Sequence, residues 1–276
     1  GLNHLGDEEL AFRMVKDISK TGIKAISMQI LHHQDYDNTE PWRKKLDIKV
    51  YKKIKSFLKK KKIQFGLGIH DENALFEFKN LKIDFWKIIS FRFYNDRLIK
   101  GALKTSKPVF ISTGTSSHLN LTNLKKNIKY NQNKLIVMQC TSNYPTNYVD
   151  SNVKYILEIK KLFKTNVGFS DHSSGNYASF AASVIGASVI ERHFTLSRSL
   201  PGIDQSSSLE PNEFKDLRDG LNAITDSMGK NKNVNRESKK VINGFSHSIV
   251  SIANIKKGEK LIKGSNIWYK RPGSGI

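Results

Sequence analysis

The sequence predicts an α/β fold, a (β/α)8 barrel, and two observations support that prediction. Short apolar runs of strand length alternate with longer amphipathic stretches over most of the chain. Each switch changes the apolar period from two residues to between three and four, and repeated strand–helix units of this kind form parallel sheets with right-handed crossovers. Because the first helix begins almost at residue 1, we expect a truncated first barrel strand, with the missing strand just upstream of Gly1.

Seven strands and eight helices follow from this pattern. Strands are expected at residues 25–29, 64–68, 85–89, 108–112, 135–139, 166–169 and 188–193. Helices are expected at 7–21, 47–62, 71–80, 95–105, 119–131, 152–163, 176–185 and 211–227. In a barrel of this kind the active site lies at the C-terminal ends of the strands, so residues at those ends are the candidates for function.

Three regions are expected along the chain: a barrel over residues 1–228, a linker over 229–246 and a small β-rich part over 247–276. The linker is polar and rich in Lys and Asn. Short β elements are expected at 248–253, 255–262 and 267–270, with a tight turn at Gly258. A segment of about thirty residues cannot bury a core of its own. It is therefore either an appendage docked on the barrel or the start of a domain that continues beyond Ile276.

The 276-residue chain is strongly basic, with 46 Lys and Arg against 25 Asp and Glu and a net charge of +21. Its lysines scatter over predicted helices without interleaved aromatic and arginine residues, zinc-knuckle spacing or a helix-turn-helix pattern, and we expect no nucleic-acid partner. Its one cysteine, Cys140, cannot form an internal disulfide. No apolar run is long enough to span a bilayer and no signal peptide opens the chain, so we expect a cytoplasmic protein without a membrane partner.

The predicted strand ends carry side chains with chemical character. His172 follows one predicted strand and His193 lies on the next, so the two can converge on one divalent ion. Imidazoles and carboxylates with open positions bind such ions. Glu191 lies two residues before His193 and points to the same face of its strand. A pair of buried, hydrogen-bonded histidines remains the alternative. The set also includes Asn3, His4, Gln29, His70, Lys87, Ser90, Ser112, Thr113, Gly114, Thr141, Tyr144, Ser170 and Asp171.

Lys87 lies among apolar residues of its predicted strand. A lysine inside a barrel is costly unless its charge meets an anion or its amine forms a Schiff base. The alternative is that Lys87 extends outward between the helices, where its charge reaches water and needs neither an anion nor a Schiff base. The segment STGTSS at 112–117 follows the next strand and offers hydroxyl and N–H groups to a phosphate or carboxylate, or else only caps a helix.

Six motifs in a fixed order make the chain resemble one enzyme family. They are GLNHLG at 1–6, ISTG at 111–114, QCTSNYPT at 139–146, GFSDH at 168–172, IERHFT at 190–195 and KRPGSG at 270–275. Two shorter matches, GID at 202–204 and SLEP at 208–211, accompany them. Together they resemble the sialic acid synthase, or nonulosonate synthase, family over essentially the whole chain. That resemblance implies a (β/α)8 barrel followed by a small antifreeze-like, or SAF, domain.

The resemblance also implies an activity. The family condenses phosphoenolpyruvate with an N-acylated amino sugar and releases phosphate, in the biosynthesis of surface carbohydrates. Carbon 3 of the enolpyruvate attacks the open-chain sugar aldehyde, and water adds at carbon 2. The implied metal ligands are His172 and His193, and we expect Mn²⁺ ahead of Mg²⁺ or Co²⁺. The implied catalytic residues are Lys87, Tyr144 and Glu191.

The substrate-binding residues and the assembly are implied in the same way. The phosphoenolpyruvate contacts are expected at Lys87, Ser90, Ser112, Tyr144 and Ser170. The further substrate contacts are expected at Asn3, Gln29, Asp204, Phe245 and Arg271. In the family the SAF domain reaches across a dimer and places an arginine over the partner's sugar. We therefore expect a domain-swapped homodimer in which Arg271 has that place and Phe245 lies where the linker covers the site.

Three positions depart from the family pattern. The lysine that the family has two residues before Gln29 is Ser27 here, GIH at 68–70 replaces Thr-Pro-Phe, and SFR at 90–92 replaces Ser-Gly-Glu. Arg92 is considered as a replacement for the missing charge. These departures keep open a metal-dependent barrel aldolase or lyase that acts on another phosphorylated or acidic substrate, and a non-catalytic sugar- or subunit-binding relative. The charge alone keeps open a nucleic-acid-binding role.

Overall fold

The computed structural model describes residues 2–37, 39–229 and 238–272. The chain divides into two compact units, Gly1–Ser227 and Met228–Ile276. The strands of the first unit are β1 (Ala25–Ile30), β2 (Gln64–Ile69), β3 (Phe85–Ile88), β4 (Val109–Ser112), β5 (Leu135–Cys140), β6 (Asn166–Asp171) and β7 (Val189–Arg192). The helices are α1 (Glu8–Ile18), α2 (Ile48–Lys60), α3 (Asn73–Glu77), α4 (Asp96–Lys104), α5 (His118–Asn127), α6 (Tyr155–Phe163), α7 (Tyr177–Val184) and α8 (Pro211–Met228). In the described ranges, no helix has both the length and the apolar character to cross a membrane.

The seven strands form one parallel sheet in the order β1 to β7, as the strand–helix alternation predicts. In the register of the first three strands, Gln29 lies beside Gly68 and Gly68 lies beside Lys87. The sheet is strongly curled, because side chains of its two edge strands, β1 and β7, line one and the same cavity. The predicted α/β barrel class is confirmed in the form of a seven-stranded, curled half-barrel whose strand ends meet at one face.

Alternate residues of each strand point to opposite faces of the sheet, and the two faces have different roles. On β2, Phe65, Leu67 and Ile69 are fully buried in the core between the sheet and the helices. Gly66 and Gly68 occupy the other face: a Cβ at Gly66 would clash with the inward Phe85 ring, and Gly68 lines the cavity. Burying large aliphatic and aromatic side chains between sheet and helices is the main stabilising contribution of this fold.

The helices begin at capping side chains and bury one face against the sheet. The Asp7 carboxylate accepts a hydrogen bond from the Leu10 backbone N–H at 2.7 Å, at the start of α1. Ser117 forms a reciprocal capping box at the start of α5. Such caps contribute about 1 kcal/mol each. The buried faces contribute more, as in α2, where Ile54 and Leu58 have no exposed surface.

A second apolar cluster connects the two edges of the sheet. It contains Ile18 of α1 together with Phe214 and Leu217 of α8. Ile26 of β1 and Ile190 of β7 pack against it from either edge. Helices α1 and α8 therefore close the apolar core on the side where β1 and β7 are not hydrogen-bonded to each other.

The observed elements end where the backbone leaves the expected conformation. The helix expected at 71–80 is the short α3 followed by a 3-10 turn, which ends at Lys82 in the left-handed region with φ of 52°. The helix expected at 119–131 ends earlier because Ile128 is extended. Strand β6 continues to Asp171, two residues beyond the prediction. Strand β7 ends at Arg192, so His193 lies just after the strand.

In its described residues, the second unit has one short helix and one antiparallel pair of strands. Helix α9 (Lys239–Phe245) lies within the range predicted as a linker, and residues 230–237 of that range lie outside the described residues. Strands β8 (Ser248–Ser251) and β9 (Ile267–Lys270) pair antiparallel. Two of the three predicted β elements are therefore present.

The third expected β element, at 255–262, is wrong, since this stretch contains no strand in the described structure. It turns at Gly258, as predicted, with φ of 87°. The Asn266 side chain holds the stretch in place: it accepts a hydrogen bond from Ile262 N–H at 2.7 Å and donates one to the Lys260 carbonyl at 2.9 Å. These local bonds satisfy backbone groups that a strand would have paired with a neighbour.

Candidate active site

A cavity of about 510 Å³ opens at the C-terminal ends of the strands, and all seven strands contribute residues to it. This volume is within the usual range of small-molecule sites. The cavity brings together most of the residues that the sequence singles out: Gln29, Lys87, Ser90, Ser112, Tyr144, Ser170, His172, Glu191, His193 and Asp204. They come from distant parts of the chain, and the parallel register of the sheet places them at one face.

Lys87 and Glu191 form an ion pair across the inside of the half-barrel. Lys87 extends from β3, is 5% exposed, and has its Nζ 3.7 Å from Sδ of Met138. Burial would raise the pKa of Glu191, but the Lys87 ammonium outweighs that effect and, with a hydrogen bond from Ser170, lowers the pKa to about 2. The carboxyl group is thus ionised at neutral pH. The sequence predicts that Lys87 meets an anion, and in the structure that anion is the Glu191 carboxylate of the same chain.

His172 and His193 lie beside each other, with ring centroids 5.1 Å apart. Nδ1 of His172 donates a hydrogen bond to the Thr141 carbonyl oxygen at 2.8 Å, which leaves Nε2 with its lone pair in the neutral form of the ring. Nδ1 of His193 lies 3.3 Å from a carboxylate oxygen of Asp204, although the two atoms are not aligned as a hydrogen bond. Burial would raise the pKa of Asp204, but His193 outweighs it and lowers that pKa to about 2.

Tyr144 covers both histidine rings. Its ring lies 4.2 Å from that of His172, tilted by 36°, and meets His193 edge-on at 5.8 Å. Burial raises the pKa of Tyr144 well above its usual range, so the hydroxyl stays protonated and can donate a hydrogen bond. The Tyr144 ring is thus an apolar cover beside the histidine pair, and its hydroxyl is the polar group of that cover.

Serine hydroxyls form another part of the cavity wall. Ser90 Oγ donates to Sγ of Cys140 at 3.4 Å, whereas Ser112 Oγ is buried with no hydrogen-bond partner among the described residues. Buried polar atoms are normally paired, so a free hydroxyl in a cavity wall is available to a ligand. A Cβ at Gly114 would clash with the Ser142 and Ser90 side chains, and glycine is therefore needed where the loop after β4 passes them.

Comparison with protein families gives one match that covers most of the chain. The model of the NeuB family matches residues 14–233. The chain belongs to the NeuB family. The matched range includes Lys87, His172, Glu191 and His193, that is, the ion pair and the histidine pair of the cavity.

Relatives in the NeuB family are nonulosonate synthases. The chain is 32% identical to N,N'-diacetyllegionaminic acid synthase of Campylobacter jejuni, over 100% of this chain and 90% of that protein. It is 30% identical to a pseudaminic acid synthase of Campylobacter jejuni, over 99% of this chain and 86% of that one. A crystal structure of N-acetylneuraminic acid synthetase from Leptospira borgpetersenii aligns with a TM-score of 0.78 at 29% identity, over 87% of this chain and 86% of that one. The resemblance to the sialic acid synthase family is confirmed.

The histidine pair of this NeuB member suits a divalent ion in its local chemistry. Nδ1 of His172 donates to a backbone carbonyl, the arrangement that orients metal-ligating histidines elsewhere in proteins, and Nδ1 of His193 has an Asp204 carboxylate oxygen 3.3 Å away. The pair supplies two imidazole ligands, and the remaining positions would be open to water or substrate. Within the described ranges, His32, His33 and Asp71 form a group of three possible metal ligands whose donor atoms all lie within 4.8 Å of one another. This group does not include His172 or His193. Metal binding by His172 and His193 stays a prediction.

One residue of the first unit that is predicted to bind substrate, Asn3, is not in the cavity wall as described. Asn3 is buried and donates hydrogen bonds to the Phe194 carbonyl at 2.8 Å and to Ser208 Oγ at 2.7 Å. Its amide therefore holds the segments after β7 in place. Because both hydrogens of the NH2 group are used in these bonds, the group is not free to donate to a ligand. Phe245 and Arg271 lie in the second unit, where the guanidinium stacks over the phenyl ring at 5.4 Å.

The departures from the family pattern lie on one side of the cavity. Ser27 lines it, and Gln29 donates from Nε2 to Nε2 of His70 at 2.7 Å. Burial lowers the pKa of His70 to about 4, so the ring is neutral and accepts this bond. Arg92 is absent from the lining and has Nη2 3.7 Å from an Asp35 carboxylate oxygen. The suggestion that Arg92 replaces the missing lysine is therefore not supported by its position.

The sequence reasoning missed the segment between β1 and α2, which contributes Asp35, Trp42 and Arg43 to the cavity wall. Arg43 is held by Asp37 at 2.8 Å and packs on the Trp42 ring at 4.8 Å. This segment has no apolar period, so pattern analysis gave it no structural role. Its one visible signal is the doublet His32-His33, which lies shortly after the strand predicted at 25–29.

Proposed function

We propose that this NeuB family member is a nonulosonate synthase that joins phosphoenolpyruvate to an N-acylated amino sugar and releases phosphate. The observation that supports it most is the buried Lys87, which shares one cavity wall with three serine hydroxyls and with the pair His172 and His193. The names of the relatives, legionaminic and pseudaminic acid synthases, support the same class of reaction.

Phosphoenolpyruvate brings a carboxylate and a phosphate, and the cavity offers a cation and hydroxyl donors to them. Lys87 would turn from Glu191 to the phosphate, since a phosphate with several negatively charged oxygens is the stronger partner for an ammonium group. The unpaired Ser112 hydroxyl, with Ser90 and Ser170, would donate hydrogen bonds to the same anion. These donors would offset part of the ligand's negative charge.

The π electrons between carbons 2 and 3 of the enolpyruvate form a bond from carbon 3 to the aldehyde carbon, and the carbonyl π electrons move to the aldehyde oxygen. Water then adds at the electron-poor carbon 2 and gives up one proton, which balances the proton taken up by the aldehyde oxygen. The carbon–oxygen bond to phosphate breaks, and the hydroxyl left at carbon 2 loses its proton to the departing phosphate as the ketone forms. A divalent ion held by His172 and His193, with Mn²⁺ expected, would supply Lewis-acid polarisation of the aldehyde. Glu191, ionised and released from Lys87, would accept the proton of the attacking water. Tyr144 would donate a hydrogen bond to the bound substrate.

The second unit completes this proposal. We propose that residues 247–276 belong to an SAF domain and that Arg271 acts at the cavity of the other subunit in a domain-swapped homodimer. Phe245 would lie where the linker covers the site. The stacking of Arg271 on Phe245 supports a shared role for the two side chains. Sedimentation of the full chain as a dimer, together with loss of sugar affinity in Arg271→Ala, is the result expected.

The test of the activity is phosphate release. The full chain is incubated with phosphoenolpyruvate, Mn²⁺ and a panel of N-acylated amino and diamino sugars, and products are identified by mass spectrometry. We expect one phosphate for each sugar consumed. Lys87→Met should lower kcat/KM by about 100-fold or more, as for loss of a group that stabilises transition-state charge. The exposed Lys125→Met is the matched control and should leave the rate unchanged.

Other results would point to the alternative functions. If no sugar of the panel gives phosphate while the Campylobacter jejuni N,N'-diacetyllegionaminic acid synthase is active in parallel, the proposal is wrong. Thermal stabilisation by a sugar but not by phosphoenolpyruvate would then indicate a sugar-binding relative without this activity. Turnover of another phosphorylated or acidic substrate would indicate a different barrel aldolase or lyase.

A further inference from the structure

A cluster of metal-ligating side chains lies at the ends of β1 and β2, apart from the histidine pair of the cavity. His32 and His33 follow β1, and Asp71 follows β2. We propose that His32, His33 and Asp71 form a binding site for a divalent transition-metal ion of the zinc or cobalt type. This site is independent of His172 and His193 and of the proposed synthase activity.

The three donor atoms already lie close together. Oδ2 of Asp71 is 3.1 Å from Nδ1 of His33 and 3.7 Å from Nε2 of His32, and all three atoms lie within 4.8 Å of one another. Metal–ligand bonds of about 2.0–2.2 Å in a tetrahedral site place neighbouring donor atoms roughly 3.3 Å apart. Only small side-chain movements are therefore needed to bring the three atoms around one ion.

The local structure fixes the carboxylate in the orientation that such a site needs. Oδ1 of Asp71 accepts from the Ala74 backbone N–H at 3.2 Å, at the start of α3, and Oδ2 accepts from the His33 backbone N–H at 2.9 Å. These two hydrogen bonds orient the carboxylate before any ion arrives, as a ligand group should be.

Access and chemistry both favour a transition metal. The His33 side chain is 52% exposed and that of His32 is 24% exposed, while Asp71 is buried beneath them at 7%. Two imidazole nitrogens and one carboxylate oxygen suit Zn²⁺ or Co²⁺ and do not suit Mg²⁺ or Ca²⁺, which prefer oxygen ligands. Binding would displace two exposed hydrogen bonds, from Gln34 N–H to His32 at 3.3 Å and from the Asn73 amide to His33 at 3.0 Å. Such solvated bonds contribute little.

The position of the site gives the ion a structural role next to the cavity. His32 and His33 begin the segment that carries Trp42 and Arg43 into the cavity wall, and Asp71 directly follows His70, which also lines it. An ion at this point would join the start of the segment to the end of β2. The site would therefore hold one wall of the cavity in place without contacting the reacting atoms.

The experiment counts bound ions with the histidine pair of the cavity removed. Zn²⁺ binding is measured by equilibrium dialysis in the full-length double variant His172→Gln/His193→Gln, and Co²⁺ binding is followed by its visible d–d absorption. We expect one equivalent in this background. Adding His32→Gln/His33→Gln should abolish it, and Asp71→Asn, which keeps an oxygen for the cap of α3, should weaken it at least tenfold. Adding His118→Gln/His247→Gln instead removes two histidines outside the cluster and should leave one equivalent.

Two results would overturn the proposal. One is a background variant that binds no Zn²⁺ or Co²⁺. The other is a bound equivalent that persists after His32→Gln/His33→Gln, with the circular dichroism spectrum unchanged. Neither result depends on phosphate release, so failure of this site and failure of the synthase proposal are distinguished.

Discussion

Single residues inside the half-barrel carry charges that are held away from bulk water. Lys87 is paired with Glu191, and Arg192 is paired with Asp171 at 2.8 Å with almost no exposure on either side chain. Arg192 also donates to the Ser173 carbonyl, so the residues on both sides of His172 are fixed by one guanidinium. Removing one partner of a buried pair is costly because it leaves an uncompensated charge, whereas removing both partners often is not.

This difference gives a prediction for the pair Lys87 and Glu191. Glu191→Gln leaves the lysine charge buried without its partner. We expect the free energy of unfolding to fall by about 2 kcal/mol. The loss is smaller than for a fully buried pair because the Glu191 side chain is 30% exposed. The double variant Lys87→Met/Glu191→Gln should recover most of that loss. Urea unfolding of the four proteins measures the cycle. Additive losses would show that the two charges do not interact.

The buried His4 gives a prediction for pH. Burial lowers the pKa of His4 to about 4, against 6.5 for the unfolded chain, so the unfolded state binds more protons between these values. Stability should therefore fall as the pH is lowered from about 6.5 to about 4, and should be independent of His4 above that window. Urea midpoints measured across this range should change less steeply in His4→Gln than in the parent. Equal slopes in both proteins would contradict the assignment.

Among the elements, those with a regular period were predictable and those shaped by local geometry were not. The apolar run of β2 predicts this strand correctly. A strand buried by its two neighbours and by the helix layer needs apolar side chains, and these are visible in the sequence. The short α3 was overestimated, since the turn that ends at Lys82 has no sequence period. The polar side chains of β3 to β7 were predictable as a cavity set because parallel strands end at one face. Arg43 was not, because it enters the cavity from an aperiodic segment.

A prediction at this scale concerns the inner face of β2. A Cβ at position 66 would clash with the Phe85 ring, which itself packs edge-on against Phe110 at 4.9 Å. Gly66→Ala should therefore destabilise the protein by about 1–3 kcal/mol, as overpacking does. Phe85→Leu in the same chain should relieve part of that loss, and thermal unfolding of the single and double variants measures it. A control, Gly244→Ala, replaces a glycine with open space around its Cβ position and should not show this coupling to Phe85.

For the whole molecule, the excess of positive charge lies on the surface. The lysines of the runs at 59–62 and 125–126 are exposed, whereas Lys87 is buried in the cavity. Exposed charges contribute little to stability individually and act mainly on solubility and long-range attraction. The charge of +21 therefore describes the exterior of the protein and says little about its site.

The exposed Lys49 and Lys52 test this interpretation. Lys49→Glu/Lys52→Glu lowers the net charge by four and places acidic groups in the first turns of α2, where the helix dipole favours them. We expect stability to be unchanged or raised by up to about 1 kcal/mol, and phosphate release to be unaffected at physiological salt. Thermal unfolding and the phosphate assay are the measurements. A large loss of either would show that the surface charge takes part in folding or in substrate capture.

The pair of Lys87 and Glu191 has a consequence for selectivity among anions. The carboxylate is tethered to the same fold as the ammonium group, so it competes for it at an effective concentration far above that of a dissolved ion. Chloride or acetate has one charge and makes few contacts, so it would have to displace the Glu191 carboxylate from Lys87 through that single interaction. A ligand that also engages the serine hydroxyls would displace the carboxylate with several interactions at once. We therefore expect the ion pair to discriminate against monovalent anions and in favour of polyvalent ones.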